Sequence, residues 1–228
     1  LTLKKTFNNN VPFKNIVIDN LFNNSELDSI LKEYPTIENM PRKFLNKNEN
    51  KYASKDIYNM KNIKNCLGLL EFLNSKQFIN FIEEITGINN LIPDKKFDGG
   101  GLHQIPNKGK LNIHIDFNKK KMDNNYVDRR VNLLLYLNKN WEEHFNGSLE
   151  LWDGKKCIKS IMPIFNRTVI FNTTSKSWHG HPVPLNCKKN TRKSIAVYYY
   201  TINNNSEDFE NCNLRNTIFL KDIKKNNL

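Results

Sequence analysis

The most chemically capable pair of side chains in this sequence stands two positions apart. Residues 111–121 read LNIHIDFNKKK, and their alternation of apolar and polar positions predicts a β-strand. Period two puts Leu111, Ile113 and Ile115 on one face and Asn112, His114 and Asp116 on the other. An imidazole and a carboxylate on one strand face can both reach a point above the sheet, as two ligands of a divalent metal must. The H-x-D spacing occurs often by chance, so a third donor has to come from elsewhere in the chain.

Downstream, NTTSKSWHGHPVP follows the strand-like run RTVIFN and offers His179 and His181 as the third donor, both in a turn after that strand. Two imidazoles and one carboxylate on one side of a metal leave the opposite positions open. That facial arrangement is typical of non-haem Fe(II) sites that activate O₂. The plainer reading is a polar barrel mouth whose histidines only hydrogen-bond. Arg192 tilts the balance. It opens TRKSIAVYYYT, where Arg192, Ser194, Ala196 and Tyr198 share one strand face. An inward arginine on an apolar strand is costly unless it meets an anion, and a guanidinium clamps a carboxylate through two hydrogen bonds. A metal at one end of a pocket and a carboxylate clamp at the other suit a dicarboxylate such as 2-oxoglutarate.

These residues and their surroundings resemble the 2-oxoglutarate/Fe(II)-dependent oxygenases, particularly the prolyl 4-hydroxylase-like branch. The matching pieces are HID at 114–116, YLNKNW at 136–141, NGSLELW at 146–152, PIFNRTVIF at 163–171, SWHGHP at 177–182 and TRKSIAVYYYT at 191–201. The resemblance implies a double-stranded β-helix, a form of jelly roll. It implies His114, Asp116 and His179 as iron ligands, leaving His181 as a second-layer or turn residue. It implies Arg192 as the clamp on the distal carboxylate of 2-oxoglutarate, with Tyr136 and, more weakly, Ser194 on the same group. The implied requirements are Fe(II), 2-oxoglutarate and O₂, with ascorbate as an accessory. The implied reaction is a hydroxylation coupled to oxidative decarboxylation of 2-oxoglutarate. The substrate would be a prolyl residue of a protein or peptide, or a small molecule. The carboxylate ligand argues against a halogenase. A different class of answer is a non-catalytic jelly-roll module that binds metal or nucleic acid.

Two departures from the family pattern stand out. The pair before SLELW is Asn146–Gly147 where Gly-Gly is usual, and Asn tolerates the left-handed conformation such a turn needs. Residues 117–130 are long and charged, which reads as a solvated loop or a lid over the substrate. Strand alternation nominates Gln104, Asn112, Asn132 and Trp178 as pocket residues, while His103 and His144 read as structural or surface groups.

The elements that must position these groups are legible in outline. KNIVIDNLF (residues 14–22) predicts a strand, and Asn24 or Ser25 caps a helix through SELDSILKEY that stops before Pro35. Residues 36–64 read as irregular. Residues 65–87 predict two helices broken near Asn74–Ser75, the second ending at Gly87. After Pro93 come short strand-like runs between turns, the mark of a sandwich or barrel. The expected architecture is mainly β with N-terminal helices (α+β), in one domain over residues 1–228. Residues 1–96 form helical support, 97–202 the jelly-roll core and 203–228 a polar tail with an apolar patch at TIFL.

Composition narrows the setting. The 228 residues suffice for one sizeable core. No apolar run approaches membrane-spanning length, and the N-terminal stretch lacks a signal-peptide core. Four scattered cysteines, without a CxxC pair, read as free thiols of a cytoplasmic protein. The net charge of +12 would suit nucleic acid, but lysine and asparagine are spread everywhere and no basic stripe stands out. The sequence leaves oligomeric state open.

Overall fold

The computed structural model describes residues 2–202 and 214–220. Helix α1 (Thr2–Asn9) is followed by strand β1 (Asn15–Asp19) and helix α2 (Asn24–Glu33). A hairpin of β2 (Arg42–Leu45) and β3 (Asn50–Ala53) precedes α3 (Lys64–Leu73), α4 (Lys76–Thr86) and β4 (Ile92–Pro93). Next come β5 (Gly101–Ile105), β6 (Leu111–Ile115), β7 (Lys119–Met122) and β8 (Asn125–Tyr136). Then follow β9 (Leu149–Trp152), β10 (Cys157–Ile161), β11 (Arg167–Asn172) and β12 (Trp178–His181). Strand β13 (Arg192–Ile202) and the short β14 (Ile218–Phe219) close the series.

The strands form two antiparallel sheets. The major sheet runs β1-β11-β8-β13-β5-β3-β2, with β4 beside β13 and β7 beside β8; the minor sheet runs β10-β9-β12-β6-β14. The two long strands β8 and β13 lie side by side at the centre of the major sheet and carry the organising alternation. Val131, Leu133 and Leu135 of β8 and Ile195, Val197 and Tyr199 of β13 turn to the helices, where Leu70, Leu73, Ile82 and Ile85 bury against them. The intervening residues face the minor sheet. Tyr136 packs with Leu149 and Leu151 there, and Arg192, Ser194 and Tyr198 line a cavity between the sheets. This is the expected jelly roll with helices on its outer face.

The helices end where local chemistry says they should. Asn23, one residue earlier than expected, caps α2 by accepting from the Ser25 amide. Ser75 caps α4 by accepting from the Phe78 amide, and Gly87 ends that helix at φ 71°. Tyr34, at the end of α2, sets its hydroxyl 2.8 Å from the carbonyl oxygens of both His103 and Ser194, tying the helical layer to β5 and β13.

Several expectations are corrected. Residues 36–64 are not irregular, because β2 and β3 extend the major sheet through β3–β5 pairing. The sheets also reach outside residues 97–202, through β1, β4 and β14. Residues 117–130 are not a loop: β7 folds back on β8 as a hairpin with Met122 opposite Asn125. WHGH is not a turn but strand β12, seated between β9 and β6. The TIFL patch supplies β14, which pairs with β6. Cys66, Cys157 and Cys187 are free thiols. No helix among the described residues is long and apolar enough to cross a membrane.

Candidate functional site

His114 on β6 and His179 on β12 are direct cross-strand partners in the minor sheet. Their rings lie 4.4 Å apart, centroid to centroid. Each is fixed in the same way. The Nδ1–H of His114 donates to the Asn112 carbonyl at 2.9 Å, and that of His179 donates to the Ser177 carbonyl at 2.9 Å. Both Nε2 lone pairs are thereby left for a metal. Asp116 completes the group: its carboxylate oxygens lie 3.6 Å from His114 Nε2 and 3.5 Å from His179 Nε2. One ligand atom from each residue falls within 4.8 Å of the others. His181 stays outside this cluster.

Electrostatics set the protonation states of His179 and Asp116. Burial, helped by the neighbouring His114, lowers the His179 imidazole to about 4, so it is neutral near pH 7. Burial alone would push Asp116 up. The Arg129 guanidinium overcomes this, with His179 and His114, and holds the carboxyl well below the usual range. Arg129 is 2% exposed and reaches Asp116 Oδ2 at 3.1 Å. Its Nε donates to Asn132 Oδ1 at 2.9 Å, and Asn132 Nδ2 donates to Asp116 Oδ2 at 2.8 Å. The guanidinium stacks 3.5 Å above the Tyr198 ring.

The β6 alternation breaks beside His114. His179 pairs with His114 but His181 pairs with Leu111, so the register shifts between the two rungs. Leu111 therefore lines the cavity beside His114 rather than sharing a face with Ile113 and Ile115. Gly180 lies opposite the irregularity, and a Cβ there would meet the Leu111 and Asn112 carbonyl oxygens at 2.8 Å. Only glycine lets β6 and β12 approach this closely.

Arg192 lies across the same cavity on β13, 5% exposed. Its Nε donates to the Gly147 carbonyl at 2.8 Å, and its Nη2 donates to the Tyr136 hydroxyl at 3.1 Å. No carboxylate lies within ion-pair distance of it among the described residues. Asn146 and Gly147 take φ values of 61° and 79°, so the turn forms with asparagine in the first place. Ser194 lines the cavity, in register with Tyr136.

Of the nominated pocket residues, only Asn132 reaches the cavity. Gln104 donates instead to Thr191 Oγ1 and Asn112 to Asn48 Oδ1, while Trp178 lies in register with Trp152 away from the cavity. His144 is at the surface beside Glu142, as expected. His103, read as structural or surface, lines the cavity. Arg129 and Tyr198 went unnominated because no motif marks them; the face Tyr198 shares with Arg192 was the available signal. The inter-sheet cavity measures about 80 Å³ and adjoins an outer one of about 310 Å³. The outer cavity is walled by Phe44 of β2, Lys51 of β3, Phe219 of β14 and Phe117, which follows β6.

Comparison with known proteins agrees with this geometry. Residues 100–200 match the family model described as the 2OG-Fe(II) oxygenase superfamily. A prolyl 3-hydroxylase, OGFOD1 of Mus musculus, is 30% identical over 84 residues, 34% of this chain and 15% of that protein. Among solved structures, a Trichoplax adhaerens prolyl hydroxylase in complex with a hypoxia inducible factor peptide fragment has TM-score 0.62 at 18% identity, covering 87% of this chain and 89% of its own. A Pseudomonas putida prolyl-4-hydroxylase has TM-score 0.62 at 13% identity, covering 87% of this chain and 98% of its own. These likenesses show the shared fold. The stretch matched by the family model spans the strands that bear His114, Asp116, His179 and Arg192, and it is this stretch that is similar to the 2OG-Fe(II) oxygenase superfamily.

Proposed function

We propose that this protein is an Fe(II)- and 2-oxoglutarate-dependent dioxygenase that hydroxylates a prolyl residue of a peptide or a comparable small molecule. One observation carries the reading. Two imidazole Nε2 lone pairs and a carboxylate converge within 4.8 Å, in the same cavity as a buried guanidinium without an acidic partner among the described residues. The donor set fits a ferrous ion, since two neutral imidazoles and one carboxylate are the facial set of non-haem iron. Fe(II) bound by His114, Asp116 and His179 would supply the redox chemistry that couples decarboxylation of 2-oxoglutarate to hydroxylation.

The chain's own groups do the positioning. Arg192 presents its remaining N–H groups to the distal carboxylate of 2-oxoglutarate, and the Tyr136 hydroxyl, buried beside it, adds a second contact, with Ser194 nearby. Arg129 and Asn132 hold Asp116 Oδ2 and so fix the carboxylate's orientation. The edge of Phe171 against His179 and the ring of Phe219 near His114 keep water from the imidazoles. The outer cavity, walled by aromatic rings and open to solvent, is the approach for the substrate. Peptidyl proline is favoured because the structural relatives include a prolyl hydroxylase solved with a peptide fragment. Ascorbate would act as an accessory reductant, and a cytoplasmic setting suits the free thiols.

The test is release of succinate from 2-oxoglutarate, screened over proline-containing peptides, amino acids and sugars, with Fe(II) present or chelated. His114→Ala should abolish both metal binding and turnover. Turnover that survives chelation, or iron binding that depends on His181 and not His179, would overturn the assignment. Metal binding with no effect of 2-oxoglutarate would favour a non-catalytic metal-binding module.

A further inference from the structure

His181 is 2% exposed, and neither of its ring nitrogens has a hydrogen-bond partner. The contrast with its neighbours is sharp. The Nδ1 atoms of His114 and His179 each donate to a backbone carbonyl two residues back. His181 makes no such bond, so nothing ties it down as a turn or supporting residue, and it lies outside the metal-ligand cluster. It stands on the same strand face as His179 and lines the inter-sheet cavity together with Arg192 and Ser194. An imidazole offers at least one N–H donor. Buried polar groups are seldom left unpaired, and one that is points to a partner of another kind.

We propose that His181 is a co-substrate-binding residue that donates a hydrogen bond to the distal carboxylate of 2-oxoglutarate, alongside Arg192 and Tyr136. The inference rests on the function proposed above. The cavity already holds a guanidinium without an acidic partner among the described residues, so its natural occupant is an anion. A second donor on the opposite sheet would grip that anion from both walls. It would also select for the length of the dicarboxylate, since a chain one carbon shorter or longer would meet the two donors out of step.

The experiment is an anaerobic titration of the Fe(II)-loaded protein, followed by the visible charge-transfer band of iron chelated by a 2-oxo acid. Two titrants are used: 2-oxoglutarate, and 2-oxobutyrate, which lacks the distal carboxylate. His181→Val should weaken 2-oxoglutarate about 10-fold to 100-fold, the loss of one charge-assisted hydrogen bond. It should leave 2-oxobutyrate and Fe(II) affinity unchanged. His181→Gln, which keeps a donor, should recover part of the loss. Equal weakening of both 2-oxo acids would mean a packing role and overturn the proposal, as would no weakening at all. Loss of Fe(II) would make His181 a ligand and overturn it too. If His181→Val is silent while Arg192→Ala loses 2-oxoglutarate, this proposal fails and the functional reading stands. If wild-type protein binds Fe(II) but gives no band with 2-oxoglutarate, both fall.

Discussion

Replacing Arg129 by methionine separates the two things this residue does. The side chain is 2% exposed, holds Asp116 Oδ2 at 3.1 Å and rests 3.5 Å above the Tyr198 ring. Methionine keeps most of the volume and removes the charge. Truncating one partner of a buried ion pair costs about 3–5 kcal/mol, because the other charge is left uncompensated. At roughly 2–4 °C per kcal/mol for a chain of this size, the metal-free variant should melt about 6–20 °C below wild type. A divalent ion at His114, Asp116 and His179 would supply the missing positive charge, so Mn(II) should close much of that gap. The Coulomb sign gives a further consequence. Arg129 repels a dication at the triad, by a few kcal/mol at an effective dielectric near 20. Arg129→Met should therefore bind Mn(II) at least as tightly as wild type, while turnover falls because Asp116 has lost one of its two fixed contacts. Thermal melts with and without Mn(II), together with a metal titration, measure all of this. A metal-free variant as stable as wild type, or one whose metal affinity falls in step with stability, would refute the electrostatic account.

Arg192→Ala should raise the half-saturating 2-oxoglutarate concentration about 30-fold to 4000-fold, from loss of about 2–5 kcal/mol, with Arg192→Lys recovering only part and Fe(II) affinity unchanged. The dependence of succinate release on 2-oxoglutarate reads this directly. Gly180→Ala should cost about 1–3 kcal/mol and weaken metal binding, because its Cβ would sit 2.8 Å from two β6 carbonyl oxygens and push the ligand strands apart; chemical denaturation and metal titration test it. The metal-free protein should lose stability as pH falls from about 6.5 toward 4. His179 is held at about 4 in the folded state, so the unfolded chain binds the proton first. Its contribution is fully present above the unfolded value near 6.5 and falls by about 1.4 kcal/mol per pH unit in that window. His181, also held well below its ordinary range by burial, adds to the same slope. Melts across this range check the sign, and a stability that rises on acidification would refute it.

What the sequence revealed follows from where the signal is local. His114, Asp116 and His179 sit in short runs whose types and spacing speak for themselves, and Arg192 reveals itself by standing on an otherwise apolar strand. The capped helix α4 and the break at Ser75 are likewise written in neighbouring residues. Arg129 was hidden because its meaning lies in a partner 13 positions away in the chain, and nothing local marks a buried arginine in a run of charges. The β7–β8 hairpin was hidden for the same reason: KKKM and NYVD look solvated until β13 covers the far edge of β8. The Leu111 reversal could not be read at all. It arises from a register shift between β6 and β12, and period-two reasoning assumes that no such shift exists.

The parts that were hardest to read share a location. Arg42 and Phe44 come from the unrecognised β2, Lys51 from β3, Phe219 from the C-terminal strand and Thr217 from just before it, yet all five wall the outer cavity through which a molecule would reach His114 and Asp116. Among the described residues, strands β2 and β14 are edge additions, one to each sheet, β2 pairing with β3 and β14 with β6. An edge element answers to fewer packing constraints than β8 or β13, although Phe219 of β14 also pairs with His114 and packs near its ring. Lys51 over the Phe44 ring at 4.8 Å, with Arg42 on the same ring at 5.7 Å, builds an aromatic wall flanked by cations. Glu49 and Asp98 partly balance these charges, through contacts of 3.0 Å to Lys51 and 3.9 Å to Arg42. The triad and Arg192 thus stand on strands with legible motifs, whereas the outer cavity beside them is walled largely from edge strands whose sequence carries only weak periodicity.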